Sequence, residues 1–286
     1  MPLWDPSRVA GEIVAGRIGA HLSPPARAAL AQMPLPELRR AVAVALERPQ
    51  PADMSLGRRV LTEVLAAQYL ELFGYLQLPA ALTVFEPCVG ASDPVILAAE
   101  AHSDGRARYT AINLNRPLRE ELRLRTAHLG SQIRVIDDDA GRLLRYLAPR
   151  SVDVVCFHHA INDILQTAVA EPRGMDTAAI DWWPHERQMI EWLAQDYRAD
   201  GLVRHGRPEL LQIVGAAVEV LRPGGILIFD HWAWEGHRRE PWFPWDLFCD
   251  LVPLARSWIA AAGLPLTEFA IPGADARWWM FHRLSA

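Results

Sequence analysis

The residues with the most chemical promise lie where apolar runs end. Leu82-Thr-Val-Phe leads into Glu86, and Pro87, Cys88, Val89, Gly90, Ala91 and Ser92 follow as a turn of mostly small residues. A helix-compatible run, Pro94-Val-Ile-Leu-Ala-Ala-Glu100, comes next. A strand that ends in a carboxylate and passes through a tight loop into a helix forms a cradle for a nucleotide-type ligand at the carboxyl edge of a parallel sheet. Two further apolar runs end in histidine. Val152 to Phe157 is followed by His158 and His159, with Asp163 close behind, and Ile226 to Phe229 is followed by Asp230 and His231. Imidazole changes charge near neutrality and can take a proton from a reacting group. Neighbours on an extended segment point to opposite sides, so Asp230 and His231 are not expected to pair directly.

Other chemistries lack their residues. His185-Glu186 on a predicted helix has no second ligand at metal-binding spacing, and Cys88, Cys156 and Cys249 are too far apart for a zinc site or a disulfide framework, so no metal is expected. A phosphate-binding P-loop needs a lysine, and the chain has none: all 29 of its basic residues are arginine. The loop after Glu86 lacks the glycine fingerprint of nicotinamide-binding domains, and Gly90-Ala-Ser92 lacks the second glycine of a nucleophile elbow.

These residues require a frame of alternating strands and helices. Strands are expected at Thr83 to Glu86, Tyr109 to Asn115, Gln132 to Ile136, Val152 to Phe157 and Ile226 to Phe229. Helices are expected from about Pro117 to Leu129 and from Glu209 to Leu221, the latter stopped by Arg222-Pro-Gly-Gly225. Such alternation predicts a doubly wound, mostly parallel sheet. A helix near Leu247 to Ala262 precedes two more runs, Leu266 to Ile271 and Arg277 to Arg283, joined by Pro272-Gly273. They predict a closing hairpin with an antiparallel last strand, for seven strands in all. Residues 1–78 read as proline-punctuated helices, a helical extension or cap with its longest helix at about Gly57 to Leu76, and residues 79–286 as the α/β domain. Two long connections interrupt that domain, at about 165–207 and 231–246. Both leave carboxyl ends of strands, where open α/β sheets bind ligands.

With 286 residues, 51% of them hydrophobic, and a net charge of −5, the chain can bury a sizeable core and has no basic stripe for nucleic acid. No apolar run approaches the roughly 20 residues that span a bilayer, and no signal sequence is visible, so a cytoplasmic protein without a membrane partner is expected.

In this order the elements resemble the class I S-adenosylmethionine-dependent methyltransferases, from about Leu56 to the C-terminus and most closely between Leu82 and Phe229. The resemblance implies S-adenosylmethionine as cofactor, S-adenosylhomocysteine as product, and a set of cofactor-binding positions. Glu86, Pro87 and Gly90 match the loop that holds the methionine end. Asn113, with Leu114 beside it, stands where the family carries an acid for the ribose hydroxyls. Asp138, Asp139 and Ala140 match the adenine-binding turn. Phe157 and His158 occupy the region that flanks the cofactor, and Leu221-Arg-Pro-Gly-Gly225 is a family marker. Cys88 and Ser92 replace glycines usual in the loop.

Methyl transfer from a sulfonium needs alignment and, for a protonated nucleophile, a base. His159 and His231 are the candidate bases, with Asp163 as a further polar group. Trp232, Trp234 and Trp242 of the second connection could wall a pocket for an aromatic, hydrophobic or cationic small-molecule acceptor, while Trp182, Trp183 and Trp192 are expected to form a satellite core. The expected activity is O-, N- or C-methylation of such a molecule, possible in specialised metabolism. A non-methylating enzyme such as a cyclase, or a non-catalytic binding protein on the same fold, stays open as an alternative.

Overall fold

The computed structural model describes residues 3–285. Four short helices open the chain: α1 (Pro6–Val14), α2 (Arg17–His21), α3 (Pro24–Ala31) and α4 (Leu35–Leu46). Three of them carry a proline at the first or second position, whose fixed φ suits a first turn, and Asp5 and Ser23 cap α1 and α3 with their side-chain oxygens. Helix α5 (Leu61–Tyr75) is apolar nearly all round, and it is buried accordingly: Val64 to Leu70, Leu72 and Phe73 are all inaccessible. It packs against α6 (Pro94–Ser103) on one face of the sheet.

The sheet follows as β1 (Thr83–Pro87), β2 (Arg108–Ile112), β3 (Gln132–Ile136), β4 (Val152–His158), β5 (Leu221–Asp230), β6 (Leu266–Phe269) and β7 (Trp279–Leu284). Its spatial order is β3-β2-β1-β4-β5-β7-β6. Strands β1 to β5 pair in parallel, and β7 runs antiparallel to both β5 and β6. The central strands β1 and β4 are buried along their whole length, as strands covered on both faces must be. The expected doubly wound sheet with an antiparallel last strand is therefore present, and one buried apolar cluster runs from Val9 to Phe281.

Differences from the sequence reading are local. Arg222-Pro-Gly-Gly225 does more than stop a helix: α11 (Gly206–Val220) ends one residue before β5, which takes in the motif through a register shift against β4 between Val152 and Val154. Gly224 supplies the positive φ that this irregularity needs. The first long connection is mostly helical, comprising α8 (Ala160–Ala170), α9 (Trp182–Arg198) and α10 (Gly201–Arg204). Near the C-terminus the single expected helix is broken at Asp250 into α12 (Trp245–Cys249) and α13 (Leu251–Ala262). Trp278 and Trp279 are both core. Helix α7 (Arg116–Thr126) starts at Asn115, whose Oδ1 accepts from Leu118 N at 3.1 Å while its Nδ2 donates to the carbonyls of Thr177 and Ile180, each at 2.9 Å. That one side chain ties the end of β2 to the segment between α8 and α9. No helix among the described residues is long and apolar enough to cross a membrane.

Candidate active site

A crevice runs along the carboxyl ends of β1, β2 and β4. Its wide part is a cavity of about 390 Å³, and two narrower chambers of about 40 and 70 Å³ continue it towards the turn after β3. Cys88 lines all three. Glu86 lies at the wide end and Asp139 and Ala140 at the narrow end, so the two acids share one crevice.

Glu86 is 1% exposed, and its Oε2 has no hydrogen-bond partner. Burial, with Asp230 and Asp93 adding to it, pushes its carboxyl well above the ordinary range. An unpartnered carboxylate at a cavity wall is costly unless a cation meets it there. A Cβ added to Gly90 would meet nothing within 4 Å, so the bareness of the loop at this point serves the cavity and not the packing of the protein. Cys88 holds φ at 54°, a conformation that favours glycine. An unpartnered buried acid beside an unobstructed loop is what the ammonium end of an amino-acid-bearing nucleoside requires. Asn113 lines the middle chamber, but its amide is engaged within the protein: Nδ2 donates to the Val89 carbonyl and Oδ1 accepts from Asn115 N at 2.7 Å. Leu114 lines both narrow chambers. Asp139 lines the far chamber while its Oδ1 accepts from Gly141 N at 2.7 Å.

At the wide end, β4 and β5 bring His158 opposite Asp230. His158 Nδ1 lies 3.0 and 3.1 Å from the two Asp230 oxygens, so it donates its proton there, and in the neutral ring this tautomer leaves the lone pair on Nε2. Tyr69 of α5 donates its hydroxyl to the same carboxylate. His158 and Asp230 are 6% and 1% exposed, and His158 Nε2 has no partner. The N-terminal helices thus supply one member of a buried Tyr69–Asp230–His158 chain.

His159 also lines the cavity, in a left-handed conformation (φ 49°) at the start of α8. Its ring lies flat between Trp232, at 3.8 Å, and His231, at 4.4 Å. Burial, with His158 adding to it, lowers its pKa to about 3, and burial likewise lowers that of His231. Both rings are therefore held neutral. His231 does not line the cavity; it sits behind His159, with neither nitrogen partnered.

Several expected site residues fall elsewhere. Phe157 faces the core, stacked on Phe229, because alternation along β4 sends it away from the side of His158. Pro87 ends β1 and lines none of the three chambers. Asp138 lies outside the crevice, where it accepts from Tyr146 at 2.6 Å and pairs with Arg142 at 3.2 Å. Of the three tryptophans expected in the pocket, Trp232 lines it. Trp234 instead donates to Ala52 O at 3.2 Å beneath Arg58, and Trp242 packs with Phe243 under Arg187. Their chain is drawn away because Gln50 and Trp234 form a β-bridge. Trp182, Trp183, Asn162 and Glu186 line the cavity in their place, together with Asp163 and Thr62. Nothing in the sequence joins Tyr69, His158 and Asp230, which lie up to 161 residues apart. Their one visible sign is that His158 and Asp230 each end an apolar run.

No protein-family profile matches the chain, and no curated protein matches it in sequence. Solved structures do match in fold. A SAM-dependent methyltransferase from Aquifex aeolicus superposes over 75% of this chain and 87% of its own, with TM-score 0.46 and 11% identity. The pyocyanin biosynthetic protein PhzM covers 98% of this chain and 72% of its own (TM-score 0.47, 14% identity). A putative rRNA-methylase from Clostridium thermocellum covers 77% and 94% (TM-score 0.44, 10% identity). Likeness at this level says nothing of this chain's substrate. The strand order and the antiparallel β7 define the class I methyltransferase fold.

Proposed function

We propose that the chain is an S-adenosylmethionine-dependent methyltransferase acting on a small molecule. The observation that carries this reading is the unpartnered, buried Glu86 at one end of a crevice whose other end is Asp139. Glu86 and the loop through Gly90 would hold the methionine end, Asn113 and Leu114 would flank the ribose, and Asp139 and Ala140 would meet the adenine. The chambers at that end are narrow, so seating a nucleoside requires Cys88, Leu114 and Thr167, which line both, to yield. When bound, S-adenosylmethionine supplies a methyl group activated by a sulfonium. The chain itself excludes water and handles the proton. His158 is the base this geometry favours: Asp230 fixes its tautomer, Tyr69 steadies Asp230, and Nε2 is left free of partners. His159, with its pKa near 3, is too weakly basic to compete and serves with Trp232 as an apolar wall. The cavity is lined by four carboxyls, Glu86, Glu121, Asp163 and Glu186, and one guanidinium, so it lacks the cationic groups that a polyphosphate such as RNA requires.

Calorimetric titration with S-adenosylhomocysteine tests the reading. Binding in the micromolar range is expected, and its absence at high micromolar concentration refutes it. Among binders, His158→Gln should abolish turnover while leaving S-adenosylhomocysteine affinity in place. A second reading, a non-methylating enzyme in the same pocket, draws on Asn113, whose engaged amide leaves little to grip a ribose. Substrate conversion without formation of S-adenosylhomocysteine would establish it.

A further inference from the structure

The wide cavity carries more carboxyl groups than a cofactor can use. Four carboxyls line it, Glu86, Glu121, Asp163 and Glu186, against one guanidinium, that of Arg125. Arg125 is already engaged, at 3.1 Å from Asp93 and 3.8 Å from Glu121. If Glu86 serves the cofactor's ammonium, as the proposed function holds, Asp163 and Glu186 remain, and neither forms an ion pair among the described residues. Beside them Asn162 is 3% exposed; its Nδ2 donates to Asp163 Oδ1 at 2.6 Å, and its own Oδ1 is buried without a partner. This corner therefore offers acceptors and lacks a cation. Three indoles line the same cavity. Trp182 and Trp232 are largely covered, while Trp183 is 60% exposed, leaving its ring open to a ligand.

We infer that this corner binds an organic ammonium, so that the methyl acceptor is an amine with an apolar body of aromatic size. The cation would lie between the Asp163 and Glu186 carboxyls and the indole faces, which attract positive charge through their quadrupoles. A phenolate or carboxylate would find no cation there to meet it, and a neutral ring would leave two acids and the Asn162 carbonyl without partners. Burial, with Glu186 adding to it, raises the Asp163 carboxyl well above its ordinary range, and burial raises Glu186 as well. An arriving cation reverses this, so the acids ionise as the amine binds. The bound ammonium must lose one proton before its nitrogen can act, and His158 is the base on the same wall. The nitrogen lone pair then forms the new N–C bond as the C–S bond breaks, with the C–S pair leaving on sulfur.

The test uses three probes of one shape, phenethylamine, 2-phenylethanol and 3-phenylpropionate, with tryptamine and butylamine extending the amine size range. Each is titrated by calorimetry into protein with and without saturating S-adenosylhomocysteine. An amine should bind at least about tenfold more tightly than the alcohol, with the carboxylate weakest. Its enthalpy should vary with the ionisation enthalpy of the buffer, because protons leave Asp163 and Glu186. In Asp163→Asn/Glu186→Gln the preference should vanish, and in Glu186→Gln alone it should shrink with S-adenosylhomocysteine affinity unchanged. Equal or tighter binding of the alcohol or carboxylate overturns the inference. So does survival of the preference in the double variant, or failure of every amine to bind protein that binds S-adenosylhomocysteine. An amine preference in protein that does not bind S-adenosylhomocysteine would sustain the cation site and end the methyl-transfer reading instead.

Discussion

Replacing Glu86 with Gln should stabilise the ligand-free protein and weaken its hold on the cofactor. Glu86 is buried, its Oε2 is unpartnered, and its carboxyl is held well above the usual range by burial. An ordinary glutamate titrates near about 4.3. In the fold Glu86 keeps its proton to higher pH than in the unfolded chain, so between those two values the unfolded chain binds fewer protons. Stability is then lost as pH rises from about 4.3 through the folded value, and is fully present below it. Glutamine does not titrate, so the gain from Glu86→Gln should be absent near pH 4 and grow towards neutrality. Glutamine is still a buried polar group, so the gain at pH 7 comes from the lost titration alone and is on the order of 1–3 kcal/mol. With S-adenosylhomocysteine the order reverses. Loss of a charge-assisted bond of about 1.5–3 kcal/mol weakens binding about 10- to 150-fold. Urea unfolding at several pH values, with and without ligand, measures both effects. A destabilised variant at pH 7, or one that binds S-adenosylhomocysteine within about twofold of the parent, refutes the reasoning.

Gly90→Ala tests the loop without disturbing the core: its Cβ meets no protein atom, so the urea midpoint should hold within about 0.5 kcal/mol while S-adenosylhomocysteine affinity falls at least about tenfold. Tyr69→Phe removes one of the donors to Asp230 and should lower kcat about tenfold with little change in cofactor affinity, as read by steady-state kinetics and calorimetry. Asn115→Ala deletes a helix cap and two carbonyl contacts, and should cost about 2–3 kcal/mol in urea unfolding. For His159, with its pKa at about 3, the unfolded chain binds the extra proton between about pH 6.5 and 3. Stability should therefore fall with acidification across that window, by up to about 2 kcal/mol at pH 5, and His159→Gln should flatten the fall.

The sheet was legible because its signals are local. Apolar runs bounded by Glu86, Asn113 and Asp139 mark strand ends, and Pro272-Gly273 marks the closing turn. Strand bounds slipped most where tertiary pairing overrode a turn motif, at Arg222-Pro-Gly-Gly225, and by two or three residues where β2 ends at Ile112, β6 ends at Phe269 and β7 starts at Trp279. The site was less legible, because its geometry depends on register and on long connections. Whether His158 or His159 meets Asp230 follows from the β4–β5 pairing, and no spacing within either strand encodes that choice. The tryptophans mislead for a related reason. An aromatic-rich connection predicts a wall, yet beyond the bridge from Gln50 to Trp234 its rings pack away from the cavity, and α9 fills the gap with Trp182 and Trp183.

Tyr69 alters how the N-terminal helices should be viewed. A cap that merely covered a pocket could be exchanged for any apolar lid. Here α5 places a hydroxyl on Asp230, and its burial raises the Tyr69 pKa further beyond the ordinary phenol range, with Asp230 contributing. The phenol therefore remains a donor throughout the useful pH range and holds one oxygen of Asp230, while His158 Nδ1 lies within reach of both. A carboxylate constrained from two sides orients the imidazole more firmly than one held by histidine alone. Under the proposed function the helices that precede the sheet belong to the proton-handling apparatus, because the carboxylate that orients His158 is fixed on its second side only once α5 has docked on the sheet.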